Sequence, residues 1–140
     1  MKRFATKTLV MTAALAAFAV GASAQSMNAE IPFTFRAGDA VLAAGSYRIN
    51  VEHTSGNNAV IRLNNDDTKK GIMLMPRYRV DAVKSWAGPK LVFACTGSDC
   101  VLTTVWNGSD SSAMVTARPT RRGKEVAEIR VVNMAGVKAE

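Results

Sequence analysis

The chain has 140 residues, of which 18 are Lys or Arg and 11 are Asp or Glu, so its formal net charge is +7. This length is enough for one domain with a core of its own and too short for two. The positive charge is compatible with an anionic partner. However, Lys2, Arg3 and Lys7 contribute part of it, in an N-terminal segment that contains no acidic residue.

That N-terminal segment has the three parts of a secretory signal peptide. It begins with the basic pair Lys2-Arg3, continues with an apolar run from Leu9 to Val20, and ends in the small residues Ala22-Ser23-Ala24. Cleavage is expected after Ala24, and the product is expected in the periplasm or outside the cell.

The same segment defines the expected domain organisation. Residues 1–24 are predicted to be the signal peptide, and residues 25–140 a single domain. The apolar run is too short to cross a bilayer as a mature helix, and no cysteine follows the cut to carry a lipid. We therefore expect a protein that does not span the membrane.

A basic cluster lies near the C-terminus and raises the question of nucleic acid or lipid binding. Glu125 and Glu128 follow this cluster, and aromatic residues that stack on bases are missing around it. A solvated charged face is the favoured interpretation, and nucleic acid is not an expected partner. The cluster consists of Arg118, Arg121, Arg122 and Lys124.

Alternation of apolar and polar residues with period two predicts strands along the first half of the domain. In residues 31–36 the apolar side is formed by every second residue, and Pro32 places that strand at a sheet edge or at a strand start. A turn over Leu42 to Gly45 separates it from a second strand, which carries its apolar residues from Tyr47 to Val51. The apolar residues of the first strand are Ile31, Phe33 and Phe35.

Further strands follow at short intervals, each bounded by residues that favour turns. A strand is predicted over Ala59 to Leu63, and Pro76 is predicted to bend or bulge the alternating segment from Gly71 to Val80. A hairpin is predicted from Lys90 to Trp106, with a loop over Thr96 to Asp99.

Two more strands are expected after this hairpin, over Ala113 to Ala117 and Val126 to Val132, although Lys124 to Val132 also fits a short helix. Long helical periodicity is missing. The sequence therefore predicts an all-β domain of about seven or eight short antiparallel strands, either a small β-sandwich or a β-barrel.

Cys95 and Cys100 are the predicted site residues, as a disulfide. If the loop closes the hairpin, the two residues lie opposite each other within disulfide reach, and export to an oxidising compartment favours the bond. Redox chemistry is the weaker interpretation, because four residues separate the cysteines where redox motifs have two. Zinc is also disfavoured, because the pair and His53 supply three ligands at most.

Met73 and Met75 carry another metal hypothesis. Two thioethers on one side of a strand suit Cu(I), but a sheet packed on both faces would hide them in a second apolar layer, which is the favoured interpretation. The single histidine, His53, is expected to be exposed beside a polar turn, and no nucleophile motif accompanies it. No catalytic, metal or cofactor residue is therefore predicted, and the chain is not expected to be an enzyme.

Several segments resemble a family of small secreted bacterial β-domain proteins that is frequent in Acidobacteria. The family pattern contains I-P-F-x-F, L-P-A-G-x-Y, K-L-V-F and a closing L-x-x-[VI]-W, and it is matched up to Trp106. Ala43 stands where the pattern has proline, and the cysteine pair is not part of the pattern. The resemblance implies a compact exported β-domain, but no cofactor or catalytic residue. The matching segments begin at Ile31, Leu42, Lys90 and Leu102.

Three functional hypotheses remain open. The favoured one is a non-enzymatic exported domain that binds an envelope protein, a glycan or a small apolar ligand. The second is an assembly protein that pairs with a partner through an edge strand. Pro32, Arg48 and Arg62 disfavour it, because proline and charged residues on an edge strand hinder pairing with another chain. The third is a small periplasmic metal or redox protein that uses Cys95, Cys100, His53, Met73 and Met75.

Overall fold

A computed structural model describes residues 25–54, 58–118 and 126–136 of the chain. The predicted signal peptide with its cleavage site, and most of the basic cluster near the C-terminus, lie outside these residues. The described residues contain strands and connecting segments and no helix, so the prediction of an all-β fold is confirmed.

Five strands form the first sheet, sheet 1. Its order is β12-β1-β4-β5-β6, and all its neighbours are antiparallel. The longest strand, β4, pairs along its length with β1 on one side and β5 on the other. The strands are β1 (Gln25–Ile31), β4 (Gly45–His53), β5 (Ala59–Asn65), β6 (Gly71–Leu74) and β12 (Ala135–Gly136).

Seven strands form the second sheet, sheet 2, around the predicted hairpin. Its main order is β11-β8-β9-β10-β7, and the small hairpin of β2 and β3 joins β9 through a parallel pair between Arg36 and Val101. The strands are β2 (Phe35–Ala37), β3 (Ala40–Leu42), β7 (Tyr78–Asp81), β8 (Lys90–Thr96), β9 (Asp99–Trp106), β10 (Ser112–Val115) and β11 (Glu128–Asn133).

The chain changes sheet at several corners, which makes the two sheets a sandwich. It passes from β1 to β2, returns from β3 to β4, crosses again at Pro76 between β6 and β7, and crosses back at Met134 between β11 and β12. Strands that switch sheets at bends form the corners of such sandwiches. Neither sheet closes on itself within the described residues, so of the two predicted architectures the structure has the sandwich.

One apolar core lies between the sheets. The inward residues of β4 and β5, such as Ile49 and Ile61, are fully buried, and Leu91 and Leu102 face them from sheet 2. The ring of Phe35 lies 5.3 Å from those of both Tyr47 and Phe93, so it joins the two sheets. The period-two pattern predicted this burial because successive strand residues point to opposite faces.

The number of strands, the structure near residue 130 and the length of the hairpin loop can each be compared with the prediction. The described residues form twelve strands, more than the seven or eight expected, because several pairings are only two to four residues long. The stretch from Glu128 to Asn133 is a strand, which settles the choice between strand and helix there. The main hairpin has a two-residue loop, because Thr96 pairs with Asp99, and Gly97 supplies the positive φ of 63° that this tight turn requires.

A β-bulge explains the spacing of two core residues on β9. Leu102 and Val105 are both fully buried in the core, although a regular strand would place residues three apart on opposite faces. The register with β8 pairs Phe93 with Leu102 and Val92 with Thr104, which leaves Thr103 as the extra residue. The extra residue returns Val105 to the inner face.

Candidate functional site

A cleft of about 490 Å³ lies at the edge of sheet 1, between β1, β4 and the turn from β11 to β12. Its apolar lining includes Val132 and Ala135; Ala29 and Tyr47 also line it, but their side chains are almost completely buried in the core. Its walls carry five polar side chains, of Asn28, Glu30, Ser46, Asp66 and Asn133. We call this feature the β1–β4 cleft.

Strand pairing produces the cleft. β12 pairs with β1 only at Met27 and Asn28, so the following part of β1, from Ala29 to Ile31, has no strand partner on that side among the described residues. On the other side β1 pairs with β4 as far as Gly45, which keeps this open stretch rigid. The cleft therefore lies beside a fixed pair of strands with an open edge.

Hydrogen bonds position the acidic wall. Glu30 and Ser46 are cross-strand partners, and the Ser46 hydroxyl donates to the Glu30 carboxylate. The backbone carbonyl of Ser46 accepts from the Asp66 N–H at 2.9 Å, which brings the loop after β5 against β4. These bonds hold the Ser46 hydroxyl on the Glu30 carboxylate and bring the backbone of Asp66 beside them.

Asn65 fixes the conformation of that loop. Its side chain is only 4% exposed, and its Oδ1 accepts hydrogen bonds from the backbone N–H groups of Asp67 at 2.8 Å and Thr68 at 3.1 Å. A buried polar side chain whose oxygen has two donors holds a turn firmly. Asp66 is therefore presented to the cleft from a well-defined turn.

The opposite wall is positioned by Lys90. Its Nζ donates to Asn133 Oδ1 at 2.6 Å and to the carbonyl of Ala87 at 3.1 Å. This contact ties the end of β11 to the start of β8. The cleft is lined by residues with amide, hydroxyl and carboxylate side chains together with apolar ones, which suits a ligand with hydroxyl and amide groups.

His53 lies at the far end of β4, outside the β1–β4 cleft. It ends the strand as expected, but its side chain is 34% exposed, so the prediction of an exposed histidine is only partly right. Its Nε2 lies 3.9 Å from Asp110 Oδ2. The same carboxylate oxygen accepts from Asn107 Nδ2 at 2.8 Å, which makes Asp110 part of a turn network.

The hydrogen bonds of Asp110 stabilise the turn that follows Trp106. Asn107 Oδ1 accepts from the Asp110 N–H at 2.9 Å, and Trp106 Nε1 donates to the Asp110 carbonyl at 2.8 Å. Trp86 packs beside Trp106, with ring centroids 5.7 Å apart. The sequence showed the turn after Trp106 but not its contact with His53, because strand topology and not sequence spacing brings the two together.

Cys95 and Cys100 form the predicted disulfide. The two residues are cross-strand partners next to the hairpin loop, with Cα atoms 4.0 Å apart, and each is 2% exposed within the core. A second cavity, of about 330 Å³, lies beside the pair, where Arg36 and Asp99 approach to 3.5 Å. Because the disulfide is buried, it acts as a staple of the hairpin.

Met73 and Met75 lie on and just after β6, away from the β1–β4 cleft. Their exposed fractions are 58% and 69%, so the interpretation that a second apolar layer hides them is wrong. Within the described residues no three His, Cys, Asp or Glu side chains come together as a metal site.

The residues of the β1–β4 cleft were not predicted from the sequence. Asn28, Glu30 and Ser46 are outward residues of alternating strands, and Asp66 belongs to a cluster that turn formation already explains. Only the path of β11 into β12 brings Asn133 beside them. The spacing of these residues along the chain does not indicate that they share a cleft.

Comparisons with protein families, with curated proteins and with solved structures find no match to this chain. Among the described residues, none belongs to a helix that is long and apolar enough to cross a bilayer.

Proposed function

We propose that the chain is an exported, non-enzymatic binding protein that holds a neutral, N-acetylated glycan of the cell envelope in the β1–β4 cleft. The observation that carries this proposal is the cleft itself, whose lining includes five residues with polar side chains beside apolar ones. Its volume of about 490 Å³ falls within the usual range for small-ligand sites.

The polar lining favours a glycan over a small apolar ligand. Hydroxyl groups of a sugar donate to the carboxylates of Glu30 and Asp66, and the amide groups of Asn28 and Asn133 both donate and accept. An acetamide group of the ligand can donate to and accept from the same two amide side chains, whereas the two carboxylates would repel an anionic sugar. The expected ligand is therefore neutral.

Export is supported by two independent features. The first 24 residues have the composition of a signal peptide, and a buried disulfide suits an oxidising compartment. The resemblance of the strand motifs to small secreted bacterial proteins agrees with the same location. We place the protein in the periplasm or outside the cell.

Binding of N-acetylglucosamine oligomers, measured by isothermal titration calorimetry, tests the proposal. Glu30→Gln and Asp66→Asn should each weaken binding about tenfold or more, because each removes a charged hydrogen-bond acceptor. Asp39→Asn, at an exposed carboxylate in the turn after β2, is the matched control and should bind like the parent protein. Equal binding by all variants, or no binding by the parent protein, would contradict the proposal.

Pairing with an extended peptide is the second candidate, supported by the open edge of β1 from Ala29 to Ile31. A peptide that adds a strand there would make backbone hydrogen bonds and would be insensitive to Glu30→Gln. Capture of an envelope protein whose binding survives this substitution would favour this candidate over the glycan.

A further inference from the structure

An exposed methionine pair, Met73 and Met75, lies at β6, outside the β1–β4 cleft. The described methionines fall into two groups: Met73 and Met75 are 58% and 69% exposed, whereas the others are at most 6% exposed. The buried group consists of Met27, Met114 and Met134, all part of the hydrophobic core. We propose that Met73 and Met75 form a surface oxidation site, which takes up oxygen from peroxides while the fold stays intact.

The chemistry needs a thioether that an oxidant can reach. The Met sulfur attacks one peroxide oxygen with its lone pair, the O–O bond breaks, the sulfur gains that oxygen as a sulfoxide, and the other oxygen leaves as water after taking up a proton. The sulfur is oxidised and the peroxide is reduced, so one hydrogen peroxide is consumed at each methionine. Exposure of both sulfur-bearing side chains allows this attack without unfolding.

The position of the pair limits the structural cost of oxidation. β6 is the last strand of sheet 1, so its outward side chains border solvent and one neighbour strand only. Met73 lies on β6 and Met75 directly follows it; both are exposed, whereas Leu74 between them is 8% exposed and belongs to the core. A polar sulfoxide there does not enter the core.

A neighbouring side chain suits the oxidised form of Met73. Arg62 on β5 is its cross-strand partner; the Arg62 side chain is 46% exposed, and its Nη2 lies 3.6 Å from Glu52 Oε2. Cross-strand partners on one face lie close enough for their side chains to touch. Met73 therefore lies beside a charged, solvent-exposed side chain, where a polar sulfoxide is compatible with its surroundings.

Peptide mapping after treatment of the purified, disulfide-intact protein with hydrogen peroxide tests the inference. Met73 and Met75 should oxidise about tenfold or more faster than Met27, Met114 and Met134, because a buried thioether is reached only after local opening. In denaturant all five should oxidise at similar rates. Thermal unfolding followed by circular dichroism should show the same midpoint before and after uptake of the two oxygens.

The double variant Met73→Leu with Met75→Leu is the control, because leucine keeps the apolar volume without the sulfur. It should lose the fast phase of peroxide uptake and leave the core methionines as slow as before. The inference is overturned if core methionines oxidise as fast as the exposed pair in the native protein, or if oxidation of the pair lowers the unfolding midpoint. Neither the oxidation rates nor the unfolding midpoint depends on glycan binding, so this test is independent of the proposed function.

Discussion

The phenolic hydroxyl of Tyr47 donates a hydrogen bond to the carbonyl oxygen of Ala43, at 2.5 Å. Tyr47 is 1% exposed, and its ring packs against Phe35 in the core, so the bond ties the turn before β4 to the centre of the sandwich. The same residue lines the β1–β4 cleft. The hydrogen bond thus joins the turn to the core next to the candidate site.

Tyr47→Phe should lower the free energy of unfolding by about 1 kcal/mol, because the Ala43 carbonyl loses its donor while the ring stays in place. Urea unfolding measures this change. Tyr78→Phe is the control, because Tyr78 is 43% exposed. The substitution retains the aromatic ring, whose centroid lies 5.9 Å from the Arg118 guanidinium carbon. A loss of similar size in both variants would contradict the role given to the Tyr47 bond.

Removal of the disulfide by Cys95→Ala with Cys100→Ala should destabilise the protein by about 2 kcal/mol, the chain-entropy value for so short a loop. Comparison of urea midpoints for the parent protein and the double variant, both without reductant, measures it. Reductant should shift the midpoint of the parent protein and leave that of the variant unchanged. Identical midpoints for parent and variant would show that the bond does not stabilise the fold.

Gly108→Ala should be more destabilising than Gly88→Ala. Both glycines have a positive φ, 88° and 75°, which costs an L-residue about 1 kcal/mol. A Cβ at Gly108 would also lie 2.8 Å from the Pro89 nitrogen, whereas a Cβ at Gly88 meets nothing within 4 Å. The difference between the two midpoints measures the clash, and equal midpoints would mean that the two loops do not pack as described.

Thr103→Val should cost about 1 kcal/mol, because its Oγ1 donates to the Val92 carbonyl at 3.1 Å and the residue is 6% exposed. Thr104→Val, at the next and less buried residue, should leave stability unchanged or raise it slightly, since valine favours strands. Thermal unfolding of the two variants separates the effects. A reversed order would argue against the bulge at Thr103.

The strands were predictable because burial alternates along them. Ile31, Phe35 and Tyr47 are buried as expected, and the break at Pro76 agrees with the structure. The single strand predicted over residues 31–36 is wrong, because β1 ends at Ile31 and the chain crosses to the other sheet before β2 begins at Phe35. Cys95 and Cys100 were predictable as partners because a short hairpin fixes its own register. These features depend on neighbours along the chain, which a single sequence contains.

Features that depend on contacts between distant segments were not predictable in this way. Met73 is exposed because among the described residues no second layer covers the outer face of sheet 1, and that is a property of the whole fold. Likewise, Asn133 joins Glu30 at the β1–β4 cleft only because β11 turns into the opposite sheet at Met134. Period-two patterns specify faces but not which strands become neighbours.

Amide chemical-shift mapping by NMR, with N-acetylglucosamine oligomers added to the isotope-labelled protein, tests the proposed binding site most directly. We expect saturable shift changes concentrated at Asn28, Glu30, Ser46, Asp66 and Asn133, with the His53 and Asp110 end of the sandwich unaffected. Shift changes confined to that opposite end, or none at concentrations that saturate small-ligand sites, would contradict binding in the β1–β4 cleft.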